Sequence, residues 1–426
     1  MELLTTMRKM KLFFLILPII ICIFVSKVCY ADVISWEEGV QEAADANAEL
    51  KAAKSSLLSS RYKVNGARSG FFPFLKASAV QNYDSTSSPH SYSLSLNASE
   101  NLFSGFSDTA KIDLAKTNES LSEVNLVSIK SKISFDLKKS FMGLLYSQKN
   151  IILTEDIIKR REANLKLVQL RFENGRENIG SLHLSKAYLA QAKYDHLQAV
   201  NSVESYQSEL ARVLGREDFN SLEVKGRIPS PSATYESKQK VDYKNLIKNI
   251  PEYKKSFFNE QKALASLDLS HSAFYPSLNL TQSVSRTARE SNPPKNDWIV
   301  GAVITFDLFN GGLDYYTSKS YSEDYRASTH IRKNTEETSI TNLKQAFSSY
   351  LEATMKLEVD QAFSLASSSR ERIAKAQYNN GLITFIDWDL IENDLIIRQK
   401  TLLQTEKESI VAEAAWEQVQ GKGVIP

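Results

Sequence analysis

The chain has 426 residues, with 52 Lys and Arg against 50 Asp and Glu, for a formal net charge of +2. That balance excludes the basic surplus expected of a nucleic-acid binder. Both cysteines, Cys22 and Cys29, fall before residue 30, so the rest of the chain has no disulfide, thiolate metal site or cysteine nucleophile.

Arg8, Lys9 and Lys11 precede an uncharged, mostly apolar run from Leu12 to Val25, and Cys29-Tyr30-Ala31 offers a small-x-small cut ahead of Asp32. A basic n-region, a short h-region and such a site predict a secretory signal peptide over residues 1–31. Met7 or Met10 as the true start would bring the charges nearer the terminus. A membrane anchor is the alternative, but the run is short of the ~20 residues a spanning helix needs and contains Pro18. Lipidation at Cys29 is a third reading, against which Ser26-Lys27-Val28 puts a charge where small apolar residues belong. After residue 31 no apolar run is long enough for a transmembrane helix, so any membrane crossing must use strands.

A first repeat is read over 32–215: a helix, two strands at 75–83 and 92–103, and a very long helical hairpin with its tip near 174–181. In 91–99 serine and asparagine alternate with Tyr92, Leu94, Leu96 and Ala98, the period of a strand with one wet and one apolar face. Gly105 marks the strand-to-helix turn. Except for Gly143, residues 108–174 contain no glycine or proline. Ile129, Ile133, Leu137, Phe141, Leu144, Gln148 and Ile151 step by three or four along one face. A helix of that length is ~100 Å long and implies coiled-coil packing.

Residues 216–241 carry Gly226, Pro229, Pro231 and several serines, and are expected to be an irregular equatorial connector. The second repeat, 242–421, has strands at 277–286 and 298–308, turn glycines Gly311 and Gly312, and a hairpin tip near 380–387; residues 422–426 form a tail. Phe71-Phe72-Pro73-Phe74-Leu75 matches Phe274-Tyr275-Pro276-Ser277-Leu278 at an offset of 203. Asn101-Leu102-Phe103-Ser104-Gly105 matches Asp307-Leu308-Phe309-Asn310-Gly311 at 206, an offset kept by Phe172-Glu173-Asn174-Gly175 against Tyr378-Asn379-Asn380-Gly381 and by Gly215 against Gly421. The extra residues enter around Ser291-Asn292-Pro293-Pro294, read as a loop between strands, with 84–90 as its counterpart.

Four strands are too few to close a barrel, and an open edge leaves unpaired backbone groups in hydrocarbon. Symmetry solves this if several chains each contribute four; three chains would give twelve. Aromatics near the strand ends (Phe72, Phe74, Tyr83, Tyr92, Phe103, Tyr275, Trp298, Phe309) suit interfacial girdles. Core aromatics of a soluble sheet are the alternative, which the alternate serines oppose.

With this duplication, the Phe-x-Pro lead-in to the first strand, the Leu-Phe-(Ser/Asn)-Gly exit from the second and the Asn-Gly tips, the chain resembles the TolC-type outer-membrane efflux and secretion channel family. The resemblance covers nearly all of the chain after residue 31. It implies a mainly α fold with a transmembrane β part, a homotrimer closing a twelve-stranded barrel on a long periplasmic α-barrel, in the outer membrane of a Gram-negative cell. It also implies a passive exit duct of a tripartite efflux pump or type I secretion system, with a periplasmic membrane-fusion adaptor and an inner-membrane pump of RND, ABC or MFS type as partners. By position it points to Asp387, with Tyr378 and Asp389, as a periplasmic gate, Asp394 being a further candidate carboxylate; a helix-start aspartate is the plainer account of Asp387. Asn174, Gly175, Arg176, Ser181, Asn380, Gly381 and Leu382 fall at the adaptor-contact tips, where Gly175-Arg176 departs from the family's Gly-Leu. No catalytic motif, phosphate loop or paired-histidine site occurs, so neither enzyme, cofactor nor metal is expected. The competing class is a periplasmic coiled-coil scaffold or adaptor without a pore.

Overall fold

The computed structural model describes residues 32–84, 88–218, 222–226, 228, 241–289 and 292–426. The expected signal peptide, residues 1–31, lies outside them. Two short helices, α1 (Trp36–Ala46) and α2 (Ala48–Ala67), lead to strands β2 (Phe74–Asp84) and β3 (Ser88–Phe103). The hairpin α3 (Ser107–Glu173) and α4 (Ile179–Leu214) follows. After a one-turn α5 (Tyr243–Leu246), the pattern recurs with α6 (Pro251–His271), β5 (Ser277–Arg289), β6 (Asn292–Thr305), α7 (Leu313–Asn379) and α8 (Phe385–Val419). Helices α3 and α7 each have 67 residues, about 100 Å at 1.5 Å per residue.

On α3 the buried positions Ile133, Ser140, Ser147, Thr154, Arg161 and Val168 recur every seven residues, the seam period of a coiled coil. Hydroxyls on this seam are satisfied within the helix: Ser147 Oγ donates to Leu144 O at 2.8 Å and Thr154 Oγ1 to Asn150 O at 2.8 Å. Small residues there let neighbouring helices approach closely. The largest apolar cluster joins Leu137, Phe141 and Leu144 of α3 to Leu210 and Leu214 of α4, with Trp36 set edge-on to Phe141 at 5.3 Å.

The expected irregular connector is partly ordered. Leu222–Val224 forms β4 and pairs in parallel with β1 (Asp32–Ile34), burying Leu222, Val224 and Ile228 in that same cluster. The alternation of apolar and polar residues in Leu222–Val224 puts two side chains inward, which composition alone does not reveal.

The four long strands make one antiparallel sheet in the order β2-β3-β5-β6. The loop expected around 291–294 is shorter than read: β6 begins at Asn292 and includes Pro293 and Pro294, and β3 begins at Ser88. The last strand, read to residue 308, stops at Thr305, although its counterpart β3 runs on to Phe103. Past Ser99, β3 remains a strand only through β5, with Glu100 opposite Leu280 and Asn101 opposite Asn279. Beyond Thr305, β6 has no such neighbour among the described residues.

Candidate functional site: hairpin tips and sheet

Both tips are built alike. Gly175 and Gly381 take positive φ of 68° and 75°, reversing each helix at little steric cost. Gly175 N–H donates to Phe172 O and Arg176 N–H to Arg171 O; Gly381 N–H donates to Tyr378 O and Leu382 N–H to Gln377 O. These are the paired bonds of a Schellman motif. Each return helix is capped by a polar side chain. Asn178 Oδ1 accepts from Ser181 N–H at 2.9 Å. Thr384 Oγ1 accepts from Asp387 N–H at 3.2 Å, and Asp387 accepts in return from the Thr384 hydroxyl at 2.7 Å.

Side chains from the first tip grip the second. The Arg171 guanidinium lies 4.1 Å over the Tyr378 ring and donates to Asn379 O at 3.1 Å. Tyr378 donates its hydroxyl proton to Glu177 Oε2 at 3.1 Å and stacks on Trp388 at 4.6 Å. Burial, reinforced by the Glu177 carboxylate, pushes the phenol pKa up to about 12, so Tyr378 stays a neutral donor. Farther from the tip, Arg161 faces Tyr188 at 4.6 Å, stands 3.6 Å from Asp389 and donates to Asn393. Burial raises the Asp389 pKa despite Arg161 and lowers that of Arg161. Glu392, also buried and pushed upward by desolvation, lies 3.9 Å from Arg160, with Glu371 of α7 against it.

Among the expected gate residues, Asp387 is exposed and committed to its capping box, the helix-start role. Tyr378 is only 1% exposed and acts between the two hairpins of one chain. Asp389 is buried against Arg161, between the hairpins, where an unpaired carboxylate would be costly. Asp394 ties α8 to α7, accepting from Ser367 Oγ at 2.7 Å, a bond that holds its carboxyl below the usual range. Asn174, Gly175, Arg176, Asn380, Gly381 and Leu382 are exposed at the tips. Ser181 is not, since its position in the first turn of α4 packs inward. Arg171, Glu177, Arg161 and Trp388 were missed in the sequence; the one available signal was an arginine recurring with the buried heptad on α3.

The sheet has two unlike faces. Ser78 and Ser95 share a 2.8 Å hydroxyl bond, and Ser283 Oγ donates to Asn97 Oδ1 at 2.7 Å. On the opposite face Leu94, Leu96, Val284, Trp298, Val300 and Ile304 are exposed, as on a strand wall that meets lipid. At the turns Gly105 (φ 61°) lies where an added Cβ would collide with Ser272 O and Tyr275, and Phe106 adopts the left-handed region between Phe103 and Tyr275. Gly311 and Gly312 hold the corresponding conformations, and both have room for an added Cβ, whose nearest neighbour at Gly312 would be a Tyr316 ring carbon at 3.6 Å. No helix among the described residues is long and apolar enough to cross a membrane, and none of their acidic and histidine side chains cluster as a metal site.

The fold matches solved structures over nearly its full length. The outer membrane protein VceC from Vibrio cholerae is 18% identical, with a TM-score of 0.78 over 91% of this chain and 96% of that one. The Campylobacter jejuni CmeC outer membrane channel is 15% identical, with a TM-score of 0.80 over 91% and 85%. A membrane protein from Pseudomonas aeruginosa is 16% identical, with a TM-score of 0.80 over 90% and 93%. No curated protein sequence matches the chain. The family model described as outer membrane efflux protein matches residues 39–216 and again 243–422, one match on each repeat. With both halves accounted for, the chain belongs to the outer membrane efflux protein family.

Proposed function

We propose that this chain is a passive outer-membrane duct. Its copies close the sheet into a barrel in the outer membrane, and the helical hairpins reach down through the periplasm to a membrane-fusion adaptor and an inner-membrane pump. The observation that carries this reading is the four-stranded sheet, with its hydroxyl-lined face, apolar outer face and free edges, set on helices about 100 Å long. The pore-less scaffold has no use for an exposed apolar sheet face. Adaptor contact falls to the exposed tip residues Asn174, Gly175, Arg176, Asn380, Gly381 and Leu382. Arg171, Glu177 and Tyr378 hold the two tips of one chain together and so oppose their separation. Asp387, exposed beside them, contributes a ring of carboxylates at the narrow end when copies are arranged about an axis, favouring cations.

Planar-bilayer recording tests both parts. Discrete channels that prefer cations, with the preference reduced in Asp387→Ala, are the expected result. Selectivity unchanged by the substitution removes Asp387 from the constriction. A folded, reconstituted oligomer that never conducts removes the duct.

A further inference from the structure

The sheet of a single chain ends at β2 on one side and β6 on the other, and the internal repeat dictates how a second copy continues it. Adding 203 to β2 and 206 to β3, the offsets read in the sequence, converts their register into that of β5 and β6. Phe74 opposite Ser99 becomes Ser277 opposite Thr305, and Ala79 opposite Leu94 becomes Gln282 opposite Val300. The duplication therefore holds at the level of individual strand pairs. Applied to the β3–β5 junction, it carries β3 onto β6 and β5 back onto β2.

We infer that β6 of one copy pairs antiparallel with β2 of the next so that Val303 faces Val80, Thr305 faces Ser78 and Asp307 faces Lys76. This follows from Asn97 opposite Ser283, Ser99 opposite Thr281 and Asn101 opposite Asn279 within the chain. The inference rests on the reading that copies of the chain close the sheet. Further observations fit this register. The facing residues are matched: valine with valine, hydroxyl with hydroxyl, and anion with cation. Among the described residues neither Lys76 nor Asp307 has an ion-pair partner within its own chain, and a one-residue slip would put them on opposite faces. Phe306–Phe309, irregular in the single chain, correspond to the stretch of β3 that is a strand only through its pairing with β5. Leu308 and Phe309 are 86% and 84% exposed, as unpartnered residues would be. An added Cβ would meet nothing at Gly311 but would collide with Ser272 and Tyr275 at Gly105; the repeat places Ser69 and Phe72 of the next copy beside Gly311. The seam thus extends β6 to Phe309, skips Leu308 as β3 skips Leu102, and sets Phe309 opposite Leu75.

Cysteine pairing in the full chain tests the register. Thr305→Cys with Ser78→Cys is compared with Thr305→Cys plus Lys76→Cys and with Thr305→Cys plus Val80→Cys, the unsubstituted chain serving as background. A disulfide needs Cα atoms ~4.4–6.8 Å apart, which directly opposed residues meet and partners two positions along do not. After mild oxidation in detergent, only the first pair is expected to give covalently linked oligomers on a denaturing gel, with light scattering reporting oligomer mass independently. Stronger linking by either flanking pair, or an intact oligomer in which no pair links, overturns the register and leaves the closed sheet standing. A monomer in all variants overturns the closed sheet and the register together. Charge exchange gives a second readout. Asp307→Lys or Lys76→Asp alone lowers the amount of detergent-resistant oligomer about three- to ten-fold, and the double exchange restores it. Failure of the double exchange to restore the oligomer overturns the pairing of these two residues.

Discussion

The tip and the sheet of this molecule are finished to different degrees. At the tip, one chain supplies both sides of nearly every contact: Arg171 and Glu177 from one hairpin meet Tyr378 from the other, and Arg161 meets Asp389. In the sheet, one chain supplies a fragment whose apolar face and two edges are open. The lesson is that the helical part draws its order from packing within the chain, whereas the strand part is left incomplete by the chain alone, as the proposed duct requires. Edges of this kind are viable in a membrane only when paired.

The strongest way to break the comparison is at the tip side. Arg161→Met strands the buried Asp389 carboxylate and is expected to cost about 3–5 kcal/mol, while adding Asp389→Leu recovers most of that. Thermal unfolding followed by circular dichroism reads both, and a single variant as stable as the double would show that the pair is not confined as described. On the sheet side, Leu96→Arg sets a charge on the apolar face, which the proposed duct turns to lipid, and is expected to cost about 2–4 kcal/mol. Ser95→Arg, one position along on the hydroxyl face, should cost far less. Yield of heat-resistant oligomer in membranes separates the two, and equal losses would refute the assignment of faces.

Glycine substitutions sharpen the contrast more gently. Gly381→Ala meets only the cost of a left-handed alanine, about 1 kcal/mol, because nothing lies near its added methyl. Gly105→Ala adds a collision 2.6 Å from Ser272 O, so its loss of stability in denaturant melts is expected to be the larger. The smallest effect concerns pH. Burial raises the Glu392 pKa above its ordinary 4.5, so its contribution to stability is fully present below 4.5 and is lost as pH rises through the raised value. Glu392→Gln removes that dependence: its melting temperature should exceed that of the parent at neutral pH and converge with it toward pH 4.5. A parent profile no steeper than the variant's would count against a buried, desolvated Glu392.

Much of this architecture was legible in the sequence because its signals are local or periodic. A fixed offset between words such as Phe71–Leu75 and Phe274–Leu278 exposed the duplication, and alternation in 91–99 exposed the strand. Uninterrupted runs without glycine or proline exposed α3 and α7, and Asn-Gly words exposed the tips. What escaped was each feature that depends on who stands opposite. Leu222–Val224 is a strand only because Asp32–Ile34 returns to it. Asp389 reads in the sequence as a free acid near a tip, and only the crossing of α8 over α3 makes it a partner of Arg161. Residues 306–308 carry strand character but lack a neighbour among the described residues, and backbone hydrogen bonds, not side-chain pattern, decide where a strand ends. The sequence by itself determined the repeat, the periods and the turns, since these follow from the conformational preferences of consecutive residues. Tertiary structure alone decided burial, pairing and charge partnership, since these follow from distances between residues as far apart in the chain as Arg171 and Tyr378.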